Sequence, residues 1–211
     1  MKNEAELRAQ MVNYGRDLFL RGYATGGAGN LSIRLDDCRI LATPTGASLG
    51  RLVAEALSVV TMEGEHLSGD RPSKEVDFHR AIYHAAPEAK AIVHLHSTHL
   101  TALSCKKHIN TENVLQAFTP YYVMRVGQLP CIPYFRPGSE EIAPALAEKA
   151  IKHRAILMAN HGAVVYGKDL LDAGDNYEEL EETAKLFNLI PNEELRFLST
   201  DEVNELNQVF G

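Results

Sequence analysis

Apolar residues Leu7, Met11, Tyr14 and Leu18 recur at the three- and four-residue spacing of one helical face, predicting an amphipathic helix over Asn3–Arg21 that stops at Gly22. The period then drops to two in Leu31-Ser32-Ile33-Arg34-Leu35, which reads as a strand. An Asp36-Asp37 turn and a second strand over Arg39–Ala42 complete a hairpin. A further hairpin is expected from Ser58–Met62 and Glu65–Ser68 around Glu63-Gly64, followed by a helix over Ser73–Ala86 stopped by Pro87. Ala91–Leu95 has the length and composition of a buried strand, and a helix should begin near Thr98. Tyr121–Val126 and Cys131–Tyr134 read as weaker strands around a Gly127 turn. Ser139–Lys152 reads as a helix whose Pro144 is tolerated only in its first turn. Strands over Ala155–Ala159 and Ala163–Tyr166, broken by Asn160-His161-Gly162, precede a long final helix marked by Leu170, Ala173, Tyr177, Leu180 and Ala184. Strands and helices mix without regular βαβ alternation, so a largely antiparallel central sheet with helices packed on it is expected.

Length and charge narrow the classes. The 211 residues suit one domain, 1–211, with the charged stretch 191–211 as a peripheral segment. With 45% apolar and 23% charged residues, neither disorder nor a fibrous repeat fits. Asp+Glu outnumber Lys+Arg by 28 to 21, a net charge of −7, which speaks against nucleic acid or an anionic membrane surface as partner. The amino-terminal residues are too acidic for a signal peptide, and no apolar run approaches ~18 residues. Cys38, Cys105 and Cys131 are odd in number and scattered, so a disulfide scaffold is not expected and a cytoplasmic setting is.

Six of the nine histidines fall between His79 and His108. His94-Leu95-His96 ends the apolar run 91–95, and residues i and i+2 of a strand share a face, so two imidazoles would project together, close enough to share a metal. The same pattern fits two structural histidines. His161 in its inter-strand turn is a second candidate, although a histidine in a turn often has no special role. Glu75 stands at a helix entrance, where an acidic residue also suits the backbone dipole and Ser73 could cap. His79, four residues on, lies on the same helical face and could orient that carboxylate. Gly29-Asn30-Leu31-Ser32 and Thr43-Pro44-Thr45-Gly46 are small-polar loops at strand ends that suit a phosphate or an ordinary turn. Ser32 occupies the third glycine position of G-x-G-x-x-G and a strand follows, so a nicotinamide cofactor is set aside. The acidic run Glu178–Glu182 reads as a solvated helix face.

Taken in order, Gly29-Asn30-Leu31-Ser32, Thr43-Pro44-Thr45-Gly46, Pro72-Ser73-Lys74-Glu75, His94-Leu95-His96 and Asn160-His161-Gly162 resemble the class II aldolase/adducin family over about Glu6 to Leu189. The resemblance implies a three-layer α/β/α fold around a largely antiparallel sheet. It also implies a homotetramer with active sites at subunit interfaces, and a divalent metal, usually Zn2+, with Mn2+ or Co2+ as alternatives. By that resemblance His94, His96 and His161 are the metal ligands and Glu75 is the acid/base. Gly29, Asn30, Ser32, Thr43, Thr45, Gly46 and Ser73 match its phosphate-binding positions, and Tyr122 or Tyr121 its proton-donating tyrosine. The family's aldolases carry two serines before the glutamate where this chain has Ser73-Lys74, a change that favours a substrate with more negative charge than a sugar phosphate. The fuller pattern, including Ala47-Ser48-Leu49-Gly50, Ser68-Gly69-Asp70-Arg71 and Thr119-Pro120-Tyr121-Tyr122, is similar to the branch that decarboxylates 3-oxo-tetronate 4-phosphates. Lys74 is then expected to bind the phosphate or the departing carboxylate. A sugar-phosphate aldolase or pentulose-phosphate 4-epimerase is the alternative, and a metal-free, adducin-like interaction module a further one.

Overall fold

In a computed structural model, residues 3–210 are described. Helix α1 (Glu4–Leu20) starts where the side chain of Asn3 accepts from the Glu6 amide while Glu6 reaches back to the Asn3 amide, a reciprocal cap. Strands β1 (Asn30–Arg34), β2 (Arg39–Ala42), β3 (Ser58–Thr61) and β4 (His66–Ser68) follow, then α2 (Val76–Ala85), β5 (Ala91–Leu95) and α3 (Thr98–Ser104). The chain continues through α4 (Pro120–Arg125), β6 (Cys131–Ile132), α5 (Ile142–Ala150), β7 (Ala155–Met158), β8 (Gly162–Gly167), α6 (Leu170–Leu189) and α7 (Thr200–Phe210).

The strands form one sheet in the order β4-β3-β2-β1-β5-β8-β7-β6. Every neighbouring pair is antiparallel except β6 with β7. Period two divides the side chains between two cores. Leu31, Ile33, Leu41, Val93, Leu95, Leu157 and Val165 pack on one face with residues of α1, α3 and α6. Ile40, Ala42, Ile92, Ile156, Met158 and Val164 pack on the other with α2 and α5. These are the three α/β/α layers, and β1, β5 and β8 run through the middle of the sheet.

Two local expectations are corrected. Residues 121–126 are helical: the Thr119 hydroxyl accepts from the Tyr122 amide and Pro120 occupies the first helical position, start signals that override the strand preference of Tyr-Tyr-Val. The helix over 170–189 is not the last, since α7 follows it and lies against α4, with the Leu198 amide bonded to the Ala117 carbonyl. Pro144 sits third in α5, in the first turn, where no amide is needed. No helix of the described residues is long and apolar enough to cross a membrane.

Candidate metal centre

In the register of the sheet His94 of β5 stands opposite Asn30 of β1 and Val164 of β8. Its side chain therefore points to the α2 side, together with those of Asn30 and Ser32. His94 is fully buried, and its Nδ1–H donates to the Ala163 carbonyl at 3.0 Å, which leaves the Nε2 lone pair for a metal. His96, one residue past β5, is exposed and brings its Nε2 within 3.1 Å of His94 Nε2. His161 comes from the loop between β7 and β8. Asn160 before it takes a left-handed φ of 56°, a conformation asparagine tolerates well. The amides of Asn160 and His161 bond the Ser104 carbonyl and hydroxyl at the end of α3, which fixes the turn.

Glu75 closes the group from the start of α2, where its amide donates to the Ser73 hydroxyl at 3.2 Å. Its Oε2 lies 3.4 Å from His94 Nε2 and its Oε1 3.5 Å from His161 Nε2. One donor atom from each of Glu75, His94, His96 and His161 lies within 4.8 Å of the others. Three imidazole nitrogens and a carboxylate oxygen are the donor chemistry of zinc and neighbouring first-row divalent ions, so the residues fit a metal. Burial pushes His94 below the ordinary histidine value, and burial, then the neighbouring His94 and His161, push His96 down to about 4. Neutral imidazoles are what a cation requires. Burial alone would raise the Glu75 carboxyl, but the imidazoles of His94 and His161 and the Asn30 amide outweigh it and hold the group well below the usual carboxylate range.

The backbone around this centre is close-packed. Gly29 has a φ of 82°, and a Cβ there would stand 2.7 Å from the His94 carbonyl oxygen. A side chain at Gly162 would run into the Leu95 carbonyl. Beside Glu75 a cavity of about 330 Å³ is lined by Lys74, Phe78, Gly138, Ser139 and Glu140. The loop 43–46 is tied to the segment before Glu75 by a Pro44–Pro72 bridge and by the Thr45 amide on the Arg71 carbonyl, and Gly27 lies against the Gly46 carbonyl. Thr45 and Gly46, both exposed, and half-buried Ser73 and Gly29 thus gather on linked loops at the rim.

The other expected phosphate positions, Ser32, Thr43 and Asn30, bond to protein groups. Ser32 is fully buried, with its hydroxyl 2.7 Å from His79 Nδ1 and 2.8 Å from the Tyr83 hydroxyl. Thr43 is buried and accepts from the Leu31 amide. The Asn30 amide is engaged at both ends, by Glu75 Oε2 and by His79 Nε2. The His79 side chain is hydrogen-bonded to Glu75 through Asn30 rather than directly. Tyr122 is buried with its hydroxyl directed at Asn113, while Tyr121 is exposed beside Arg21, Tyr23 and Arg125. Sequence reasoning also missed Glu181, which is buried under α3 rather than solvated. Its carboxylate accepts from the Ser97 hydroxyl at 2.7 Å and from the His99 and Leu100 amides at 2.8 Å.

The family profile described as "Class II Aldolase and Adducin N-terminal domain" matches residues 9–187. The chain belongs to this family. A 3-oxo-tetronate 4-phosphate decarboxylase of Haemophilus influenzae is 60% identical to this family member over 196 residues, 93% of each chain. One of Pectobacterium atrosepticum is 55% identical over 98% of this chain and 95% of its own. The crystal structure of YgbL from Klebsiella pneumoniae superposes with a TM-score of 0.95 at 57% identity, covering 98% of this chain and 100% of that one.

Proposed function

We propose that this chain converts a 3-oxo-tetronate 4-phosphate to dihydroxyacetone phosphate and CO2. The observation that carries the reading is the convergence of Glu75, His94, His96 and His161 beside Lys74 in a chain 60% identical to a decarboxylase of that substrate. The C3 ketone of such a substrate is β to the C1 carboxylate. When the C1–C2 bond breaks, its electron pair stays on C2 and delocalises onto the C3 oxygen as an enediolate, and a proton added at C2 completes the product.

His94, His96 and His161 hold a divalent cation, for which zinc suits three imidazoles best, with manganese or cobalt as the alternatives. That cation, when bound, supplies positive charge against the enediolate oxygens. Glu75 passes the proton to C2, being the carboxylate next to the imidazoles. Lys74, at the cavity beside Glu75, holds the substrate carboxylate or the phosphate by charge. Thr45, Gly46, Ser73 and the Gly29 backbone form the phosphate rim. Tyr121 is the tyrosine exposed for a neighbouring copy in a homotetramer with interfacial sites, since Tyr122 is packed inside. The three free cysteines accord with a cytoplasmic setting.

The test incubates zinc-loaded protein with a 3-oxo-tetronate 4-phosphate and follows CO2 and dihydroxyacetone phosphate. Stoichiometric release of both is expected. Release of neither, with a sugar phosphate cleaved to an aldehyde instead, would replace this reading by the aldolase one.

A further inference from the structure

Four polar side chains inside the protein end on Glu75. The helix contributes Glu75, His79 and Tyr83, spaced by four on one face, and β1 contributes Asn30 and Ser32, spaced by two on one face. The two periods interleave. Reading outward from the interior, the Tyr83 hydroxyl lies 2.8 Å from Ser32 Oγ and Ser32 Oγ 2.7 Å from His79 Nδ1. His79 Nε2 is then 2.6 Å from Asn30 Oδ1, and Asn30 Nδ2 is 2.5 Å from Glu75 Oε2. Ser32, His79 and Tyr83 are each at most 1% exposed, so water does not substitute for any of these partners.

We propose that His79, supported by Ser32 and Tyr83, is a positioning residue for the reaction: it fixes which way the Asn30 amide faces and thereby where the Glu75 carboxylate stands. The hydrogen-bond inventory leaves one arrangement. A carboxylate only accepts, so Asn30 turns its NH2 to Glu75 and its carbonyl to His79. His79 therefore donates from Nε2 and accepts at Nδ1. Ser32 donates to that nitrogen and accepts from Tyr83. Each donor points toward Glu75, and each member is held by the one behind it. Without His79 the Asn30 carbonyl loses the donor facing it inside the protein, and the amide is held only by its bond to the carboxylate, so amide and carboxylate can shift together. The imidazole prevents this, because its Nε2–H anchors the carbonyl end. His79 also stacks on Phe78, with ring centroids 4.9 Å apart, which holds the imidazole plane.

A neutral histidine serving only to fill the core would contribute to stability alone. The effect of His79 on turnover rests on the decarboxylase reading above, whereas its tautomer does not. The experiment uses the full chain loaded with zinc. In the wild type, 15N imidazole spectra should show His79 protonated at Nε2 and bare at Nδ1. His79→Leu should lower kcat by about 10–100-fold, the range seen when groups that orient site residues are removed, with KM within about threefold and zinc content unchanged. His79→Gln, which restores one donor and one acceptor, should recover most of that loss. Protonation at Nδ1, or a folded His79→Leu with wild-type kcat, or a glutamine variant no better than leucine, overturns the proposal. If His79→Leu does not fold, the spectra and the glutamine variant decide. A wild type that releases no CO2 defeats the functional reading and leaves the positioning assignment to the tautomer.

Discussion

Replacing Glu181 by alanine removes a cap that reaches α3 from about eighty residues away in sequence. Ser97, the residue before α3, makes no side-chain cap and instead donates its own hydroxyl to Glu181. The first-turn amides of His99 and Leu100 both end on the same carboxylate. Leu100 is buried, so in the variant its amide finds neither protein nor water, whereas the Ser97 hydroxyl keeps the Tyr177 hydroxyl at 2.8 Å and the half-buried His99 amide reaches water. An unsatisfied buried donor costs about 1–3 kcal/mol, and the weaker replacement bonds of Ser97 and His99 add about 1 kcal/mol. Relief of the buried charge offsets part of that, which leaves a net loss of about 2 kcal/mol. At ~2–4 °C per kcal/mol for a chain of this size, Tm should fall by about 4–8 °C in calorimetry of the metal-free protein. Glu182→Ala, one residue on and exposed, is the control and should change stability by less than ~0.5 kcal/mol. Because α3 starts two residues after His96, the zinc affinity of Glu181→Ala should fall as well. A Tm within about 2 °C of wild type would refute the cap, and an equal loss in Glu182→Ala would refute its assignment to Glu181.

Four further outcomes follow from the same geometry. His94→Ala or His96→Ala should lose bound zinc in metal analysis together with turnover, and full metal retention would contradict the ligand set. Lys74→Ser should lower decarboxylation far more than metal content, whereas a change in occupancy alone would count against its contact with substrate. Gly29→Ala places a side chain at positive φ and 2.7 Å from the His94 carbonyl, so it should be destabilised by more than the ~1–2 kcal/mol of the backbone conformation and should weaken zinc binding; an unperturbed urea midpoint would show that the carbonyl yields. Burial holds His79 down to about 3, against ~6.5 in an unfolded chain, so the unfolded state binds the extra proton between those values. Stability present above pH ~6.5 is therefore lost as pH falls through that window, by about 1.4 kcal/mol per pH unit from this residue. Urea midpoints of the metal-free protein at pH 7, 6 and 5 should decline and His79→Gln should flatten the decline, and parallel slopes in the two proteins would sink the assignment.

The central sheet and the His94–His96 pair were legible in the sequence because each is written in residue type and short-range period, whereas His161 and Glu75 joined that pair only through the family resemblance. His94 and His96 announce themselves at i and i+2 on an apolar strand, and the alternation in β1 and β5 sorts side chains between two faces. What stayed hidden depends on partners distant in sequence. Asn30, Ser32 and Thr43 have the small polar character of a phosphate loop. Only the packing of α2 over β1 reveals the hydrogen bonds that join Asn30 and Ser32 to His79, Tyr83 and Glu75. Glu181 lies among acidic neighbours that suggest water, and nothing local distinguishes the one that turns inward. Residues 121–126 favour a strand individually, yet Thr119 and Pro120 at the start decide for a helix.

Gly29 and Gly162 grip the two consecutive carbonyls of His94 and Leu95 from opposite neighbouring strands. Such a floor leaves selection little room to vary. Neither position accepts even a methyl group without displacing the backbone that carries His94 and His96. Exploration of new substrates must therefore proceed at the margin, through Lys74, the 138–140 loop and the exposed Thr45 and Gly46, while the floor is inherited intact. A library aimed at a different acid sugar should concentrate its diversity there, and the surviving clones should retain both glycines.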